Sequence, residues 1–141
     1  MILAVDAALN MNTTPDILVI EDDPIMREAL TDWLRAAGYP VRTAADGSAG
    51  LAAVKLAVPA LVVTDIHMPG TSGAAVISEV KRDNPQVAII AISGLFNSGH
   101  GLDAEAAFAL GATLALAKPF KRAELLRAVA EILGLSAPKQ E

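Results

Sequence analysis

Five short runs of strand-forming residues recur along the chain, and each is followed by a stretch whose apolar positions have helical spacing. The runs are "ILVI" (17–20), "VRTA" (41–44), "LVVT" (61–64), "VAIIAI" (87–92) and "TLALA" (113–117). Four are dominated by apolar residues without strict alternation, which predicts strands covered on both faces. "VRTA" is mixed and predicts an edge strand. Between the runs, Pro24 opens a first helix in which Ile25, Ala29, Trp33, Leu34 and Ala37 recur at helical spacing until Gly38. A second helix is expected from about Ser48 to Val58, stopped by Pro59. A third, from about Ser72 to Asp83, turns Val76, Ile77 and Val80 inward. A fourth runs from about Leu102 to Leu110 and closes on Gly111. The last follows "KPF", carries Leu125, Leu126, Val129, Ile132 and Leu133, and stops at Gly134.

Strand runs alternating with helices predict an α/β fold with a parallel sheet and helices on both faces. Right-handed crossovers reduce the topologies to a few doubly wound forms. At 141 residues the chain suits one domain. The expected organisation is a flexible N-terminal extension (1–15), the domain (16–134) and a short polar tail (135–141). Met11 opens "MNTTPDILVI", so the first ten residues read as an addition that contributes little to the fold.

Composition narrows the function classes. Apolar residues make up 53% and charged residues 19%, which excludes disorder for the bulk of the chain. The net charge of -5 with no long basic cluster argues against nucleic acid as the main partner. With no cysteine, disulfides, zinc–thiolate sites and thiol catalysis are excluded. No apolar run reaches the roughly 20 residues of a membrane helix, and the N-terminus lacks the basic region of a signal peptide. A cytoplasmic location is the expectation.

The polar residues then fall in one place. "ILVI" runs into Glu21, Asp22 and Asp23, "LVVT" into Asp65, "VAIIAI" into Ser93 and "TLALA" into Lys118. Parallel strands bring these ends to one edge, where such folds hold their ligands. Clustered carboxylates repel, so they share protons or recruit a cation. Oxygen donors without cysteine favour Mg²⁺ over zinc. A lysine and a hydroxyl facing that cation suit a phosphoryl group, toward which an aspartate can act as nucleophile.

"ILVIEDDPIMREAL", "LVVTDIHMPGTSG", "AIIAISG" and "GATLALAKPF" together resemble, in order and spacing, the receiver domain of two-component response regulators. The resemblance covers about residues 16 to 134. It implies a flavodoxin-like fold with strand order 2-1-3-4-5 and a single-domain signalling protein, not an enzyme in the ordinary sense. It implies that Asp65 accepts a phosphoryl group from the phosphohistidine of a sensor histidine kinase or phosphotransfer protein. Asp22 then binds Mg²⁺ directly, Glu21 through water, and the backbone carbonyl of His67 completes the metal site. Ser93 is the hydroxyl that moves to the phosphoryl group, Lys118 pairs with it, and the Lys118–Pro119 bond is expected to be cis. The face made by the fourth helix, fifth strand and fifth helix is implied as the contact for a downstream protein or a second copy.

Two departures from the family stand out. The aromatic residue three positions before the lysine is replaced by Ala115, leaving Phe96 and Phe108 as the aromatics nearby. The loop "SGLFNSGHGLD" is about three residues longer than usual, and its glycines make it the expected mobile element. Blander roles run alongside: Asp23 as a negative charge at the N-terminus of the first helix, favoured by its dipole, Trp33 as packing, and the rings of His67 and His100 as loop side chains. The rival functions are a degenerate receiver that binds partners without phosphorylation, the receiver fragment of a longer transcriptional regulator, and a Mg²⁺-dependent phosphohydrolase. The last would want a second acid two residues after Asp65, where His67 stands.

Overall fold

The computed structural model describes residues 15–96 and 103–134. The expectations for the N-terminal extension through residue 14, for loop residues 97–102 with His100, and for the tail lie outside the described residues. Strands β1 (Ile17–Ile20), β2 (Val41–Ala44), β3 (Leu61–Asp65), β4 (Ala88–Ser93) and β5 (Leu114–Ala117) alternate with helices α1 (Pro24–Ala36), α2 (Gly47–Leu56), α3 (Gly73–Asp83), α4 (Ala104–Leu110) and α5 (Arg122–Leu133). All strand pairs are parallel, in the order β2-β1-β3-β4-β5. This is the flavodoxin-like doubly wound sheet, with its connections diverging between β1 and β3. "VRTA" is an edge strand, as its mixed pattern predicts.

Side chains alternate across a strand, so each apolar run feeds two cores. Leu18, Ile20 and Val62 face one side, where Val54 of α2, Val76, Ile77 and Val80 of α3 and Ala107 of α4 cover them. Ile17, Val19, Leu61 and Val63 face the other, beneath Leu30 and Leu34 of α1 and Leu125 and Val129 of α5. Burying each Leu, Ile or Val side chain contributes roughly 1.5–3 kcal/mol, which is why β1 is apolar throughout and β3 is apolar up to Val63.

The helix starts follow local chemistry. Asp23 caps α1 by accepting the Ile25 N–H, with Pro24 in the first turn, and Asp46, Ser72 and Asp103 cap the next three helices in the same way. Two expectations are overturned. The "TLALA" run, read as covered on both faces, forms the second edge strand and is only partly buried throughout, because it has a strand neighbour on one side alone. Ile25, which helical spacing assigned to the core side, is 79% exposed. The buried stripe of α1 runs through Leu30, Thr31 and Leu34, while Ile25 sits in the first turn, where the helix has no stretch of sheet to cover. Trp33 and Ala37 pack half-buried against the core as expected.

Candidate functional site

The ends of β1, β3, β4 and β5 bring the predicted polar residues together. Asp65 is the last residue of β3 and is paired across the ladder with Ile92. Its carboxylate is nearly buried; Oδ1 accepts the His67 backbone N–H at 3.2 Å and Oδ2 accepts Lys118 Nζ at 3.1 Å. Glu21, one residue beyond β1, is only 1% exposed. Its Oε1 lies 3.4 Å from Lys118 Nζ, and its Oε2 accepts the Asp23 N–H at 3.2 Å. One carboxylate oxygen from each of Glu21, Asp22 and Asp65 falls within 4.8 Å of the others.

Backbone contacts hold these groups in place. The Glu21 N–H donates to Ala44 of β2 at 3.1 Å, and Arg27 Nη1 of α1 donates to the Glu21 carbonyl at 2.8 Å. Sequence reasoning missed Arg27, because a cation in the second turn of a helix carries no mark of what it will reach. Gly73 opens α3 directly against Asp65: its N–H donates to the Ile66 carbonyl at 2.8 Å, and any Cβ would collide with the Asp65 carbonyl oxygen and with Ile66 Cα. Gly73, the second glycine of "DIHMPGTSG", is thus a requirement of close approach, whereas Gly70 supplies the positive φ of the turn.

Lys118 follows β5, and its bond to Pro119 is cis, as the resemblance implied. Its backbone N–H donates to the Ser93 carbonyl at 2.9 Å, which ties the end of β5 to the end of β4. Ser93 is fully buried, and its hydroxyl accepts the Leu95 N–H at 2.9 Å. His67 is exposed; its backbone N–H, and no atom of its imidazole among the described contacts, meets Asp65. Ala115 pairs with Ala91 and is half-buried, presenting a methyl group where the resemblance calls for an aromatic ring.

The electrostatics are unbalanced. Burial pushes the Glu21 carboxyl from its ordinary 4.5 up to about 7, with the Asp65 charge adding to the rise; the Asp23 N–H and Lys118 oppose it. For Lys118, burial works toward a lower pKa, but Asp65 and Glu21 outweigh it and the ammonium is held above its ordinary value. Above about pH 7, where Glu21 has lost its proton, one ammonium faces three carboxylates and cannot neutralise them at this mouth of hard oxygen donors. That donor set fits a divalent cation such as Mg²⁺.

Comparison with known proteins agrees with this arrangement. The family described as response regulator receiver domain matches residues 17–130. The transcriptional regulatory protein BaeR of Escherichia coli is 32% identical over 130 residues, covering 91% of this chain and 52% of that protein. The transcriptional activator PfeR of Pseudomonas aeruginosa is 37% identical over 112 residues, covering 79% of this chain and 35% of that protein. The chain therefore spans about half the length, or less, of these curated relatives. Among solved structures, the receiver domain of NtrX from Brucella abortus superposes with a TM-score of 0.78 at 33% identity, over 86% of this chain and all of that one. The chemotaxis protein CheY4 of Vibrio cholerae does so with a TM-score of 0.78 at 27% identity, over the same shares.

Proposed function

The chain belongs to the response regulator receiver domain family, and from that premise we propose that Asp65 is its phosphoacceptor and that the acyl phosphate signals through protein contacts. The observation that carries the reading is the grouping of Asp65 with Glu21, Asp22 and Lys118 at one sheet edge. A carboxylate oxygen of Asp65 attacks the phosphorus of a phosphohistidine on a sensor kinase or phosphotransfer protein. The new O–P bond forms as the P–N bond breaks, and the imidazole leaves. Lys118, already 3.1 Å from Oδ2, passes to a phosphoryl oxygen, and the Ser93 hydroxyl donates to another. Glu21, Asp22, Asp65 and the His67 backbone carbonyl would hold Mg²⁺, which when bound offsets charge on the non-bridging phosphoryl oxygens.

Two surfaces support partner contacts. Ile25, exposed in the first turn of α1 two residues after Asp23 and three after Asp22, offers an apolar footing for the phosphodonor protein beside the acceptor. Along the opposite edge of the sheet, β5 is half-buried throughout and Phe108 of α4 is 45% exposed, which supports the face of α4, β5 and α5 as the downstream contact, including contact with a second copy. No helix of the described residues is long and apolar enough to cross a membrane, and the reading puts the domain in the cytoplasm with the kinase.

The test is intact mass after incubation with a small acyl-phosphate donor and Mg²⁺. A single phosphoryl adduct is expected, lost in Asp65→Asn and without Mg²⁺. One observation favours a second reading: Ala115 lacks the ring the family uses to report phosphorylation, which suits a module that binds partners unphosphorylated. Absence of the adduct in the wild-type chain, with rapid donor consumption excluded, would decide for that reading.

A further inference from the structure

The end of β4 ties the site to the apolar core beside α4. Asp65 faces Ile92 across the β3–β4 ladder, so Ser93 is the next residue beyond the acceptor's own rung. The Ser93 hydroxyl accepts the Leu95 N–H at 2.9 Å, a local bond that holds the chain in a turn as it leaves the strand. One residue later, Phe96 is buried at 7% exposure. It lies in the cluster with Ala91, Ala107 and Ala112, against which Ala115 and Ala117 of β5 pack, and it is the only aromatic residue among that cluster's described members. On this face β5 presents methyl groups, which have no rotamer to change. Phe96 has one, and it is three residues from the hydroxyl.

Resting on the phosphoacceptor reading of Asp65, we propose that Phe96 reports phosphorylation in this domain. A phosphoryl oxygen on Asp65 draws the Ser93 hydroxyl into a charge-assisted hydrogen bond, which is stronger than the neutral bond from the Leu95 N–H. The hydroxyl turns away from Leu95, the turn over residues 93–96 loosens, and the Phe96 ring leaves the core. What it vacates is space in the cluster that includes Ala107 and against which Ala115 and Ala117 pack, open to an apolar side chain of a partner protein. The coupling requires that the hydroxyl reach the phosphoryl oxygen only by leaving Leu95, so that the phosphoryl group has the higher affinity for the loosened state.

The experiment uses the full chain labelled with fluorophenylalanine. The three phenylalanines, Phe96, Phe108 and Phe120, give three fluorine resonances, with Phe96 assigned by Phe96→Leu. A soluble paramagnet reads exposure, and intact mass reads the adduct in the same sample. At rest Phe96 is expected to be protected, and on phosphorylation its broadening should rise with the adduct to about that of Phe108. In Ser93→Ala, Phe96 exposure should be the same with and without the adduct, and Ser93→Thr should restore the response. An adduct with Phe96 still protected would overturn the proposal, as would an adduct-dependent response that survives Ser93→Ala. No adduct in the wild-type chain would bring down the phosphoacceptor reading and this coupling with it, and the mass alone distinguishes that failure from the other two.

Discussion

The carboxylates and the residues facing them leave strands of unlike quality. Glu21 and Asp22 follow β1, and Asp65 ends β3; both strands are buried along their length and have a strand neighbour on each side. Lys118 follows β5, an edge strand half-exposed throughout, covered on one face by the seven-residue α4. Ser93 stands between the two regimes, fully buried at the end of β4. The acidic groups must keep fixed positions against their mutual repulsion, and an over-determined backbone supplies that. The hydroxyl, ring and lysine proposed to change partners need the opposite, a margin where local opening is inexpensive.

The sharpest break in this comparison is Gly73→Ala. The added methyl would meet backbone atoms of Asp65 and Ile66, which cannot turn aside as a side chain does. A loss of about 3 kcal/mol is expected, as for severe overpacking at a rigid site, read as a lower urea midpoint at unchanged slope. A loss below about 1 kcal/mol would mean that the β3–α3 junction is as yielding as the far edge.

A smaller effect should come from Glu21 and pH. In the ion-free folded chain Glu21 keeps its proton to about pH 7, against an ordinary value of 4.5, so the folded state binds more protons between those values. Stability from this group is therefore full below pH 4.5 and is lost as pH rises through 7, by up to about 3 kcal/mol. Urea midpoints in chelator at pH 5 and 7.5 should fall with rising pH in the wild-type chain, and less so in Glu21→Gln. Parallel profiles for the two would show that Glu21 titrates normally. Mg²⁺ at ten times its dissociation constant should return about 1.4 kcal/mol at the higher pH.

The smallest effect belongs to the margin. Ala115→Val adds two methyl groups to a half-buried position on an edge strand and should change stability by no more than about 0.5 kcal/mol. A fall comparable to that of Gly73→Ala would erase the distinction between the two regions.

Much of this was legible beforehand. "ILVI" and "VRTA" form strands with the predicted bounds, and the other three runs differ by one or two residues at their ends, because an unbroken apolar run has few ways to avoid water other than a covered sheet. The acids, the serine and the lysine were found because each interrupts such a run at its end. Asp23 reads from the sequence as a charge favoured by the α1 dipole; that its side chain also caps the helix is a contact only the structure shows. Ile25 was misplaced because helical periodicity says which residues share a stripe, not how far along the helix the sheet extends. Arg27 gave no signal because its long side chain reaches a backbone carbonyl six residues earlier, a contact that no spacing rule encodes.

The linear order of apolar and polar residues by itself determined the alternating α/β architecture, the edge at which chemistry would gather, and the residue types gathered there. Hydrophobic burial acts on patterns, and patterns are written along the chain. Only the tertiary structure decided that Lys118 would reach both Asp65 and Glu21, that burial would hold the Glu21 proton to about pH 7, and that Phe96 would share a core with Ala115. Those outcomes depend on distances between residues far apart in sequence and on the water excluded around them, and these come into being only when the strands lie side by side.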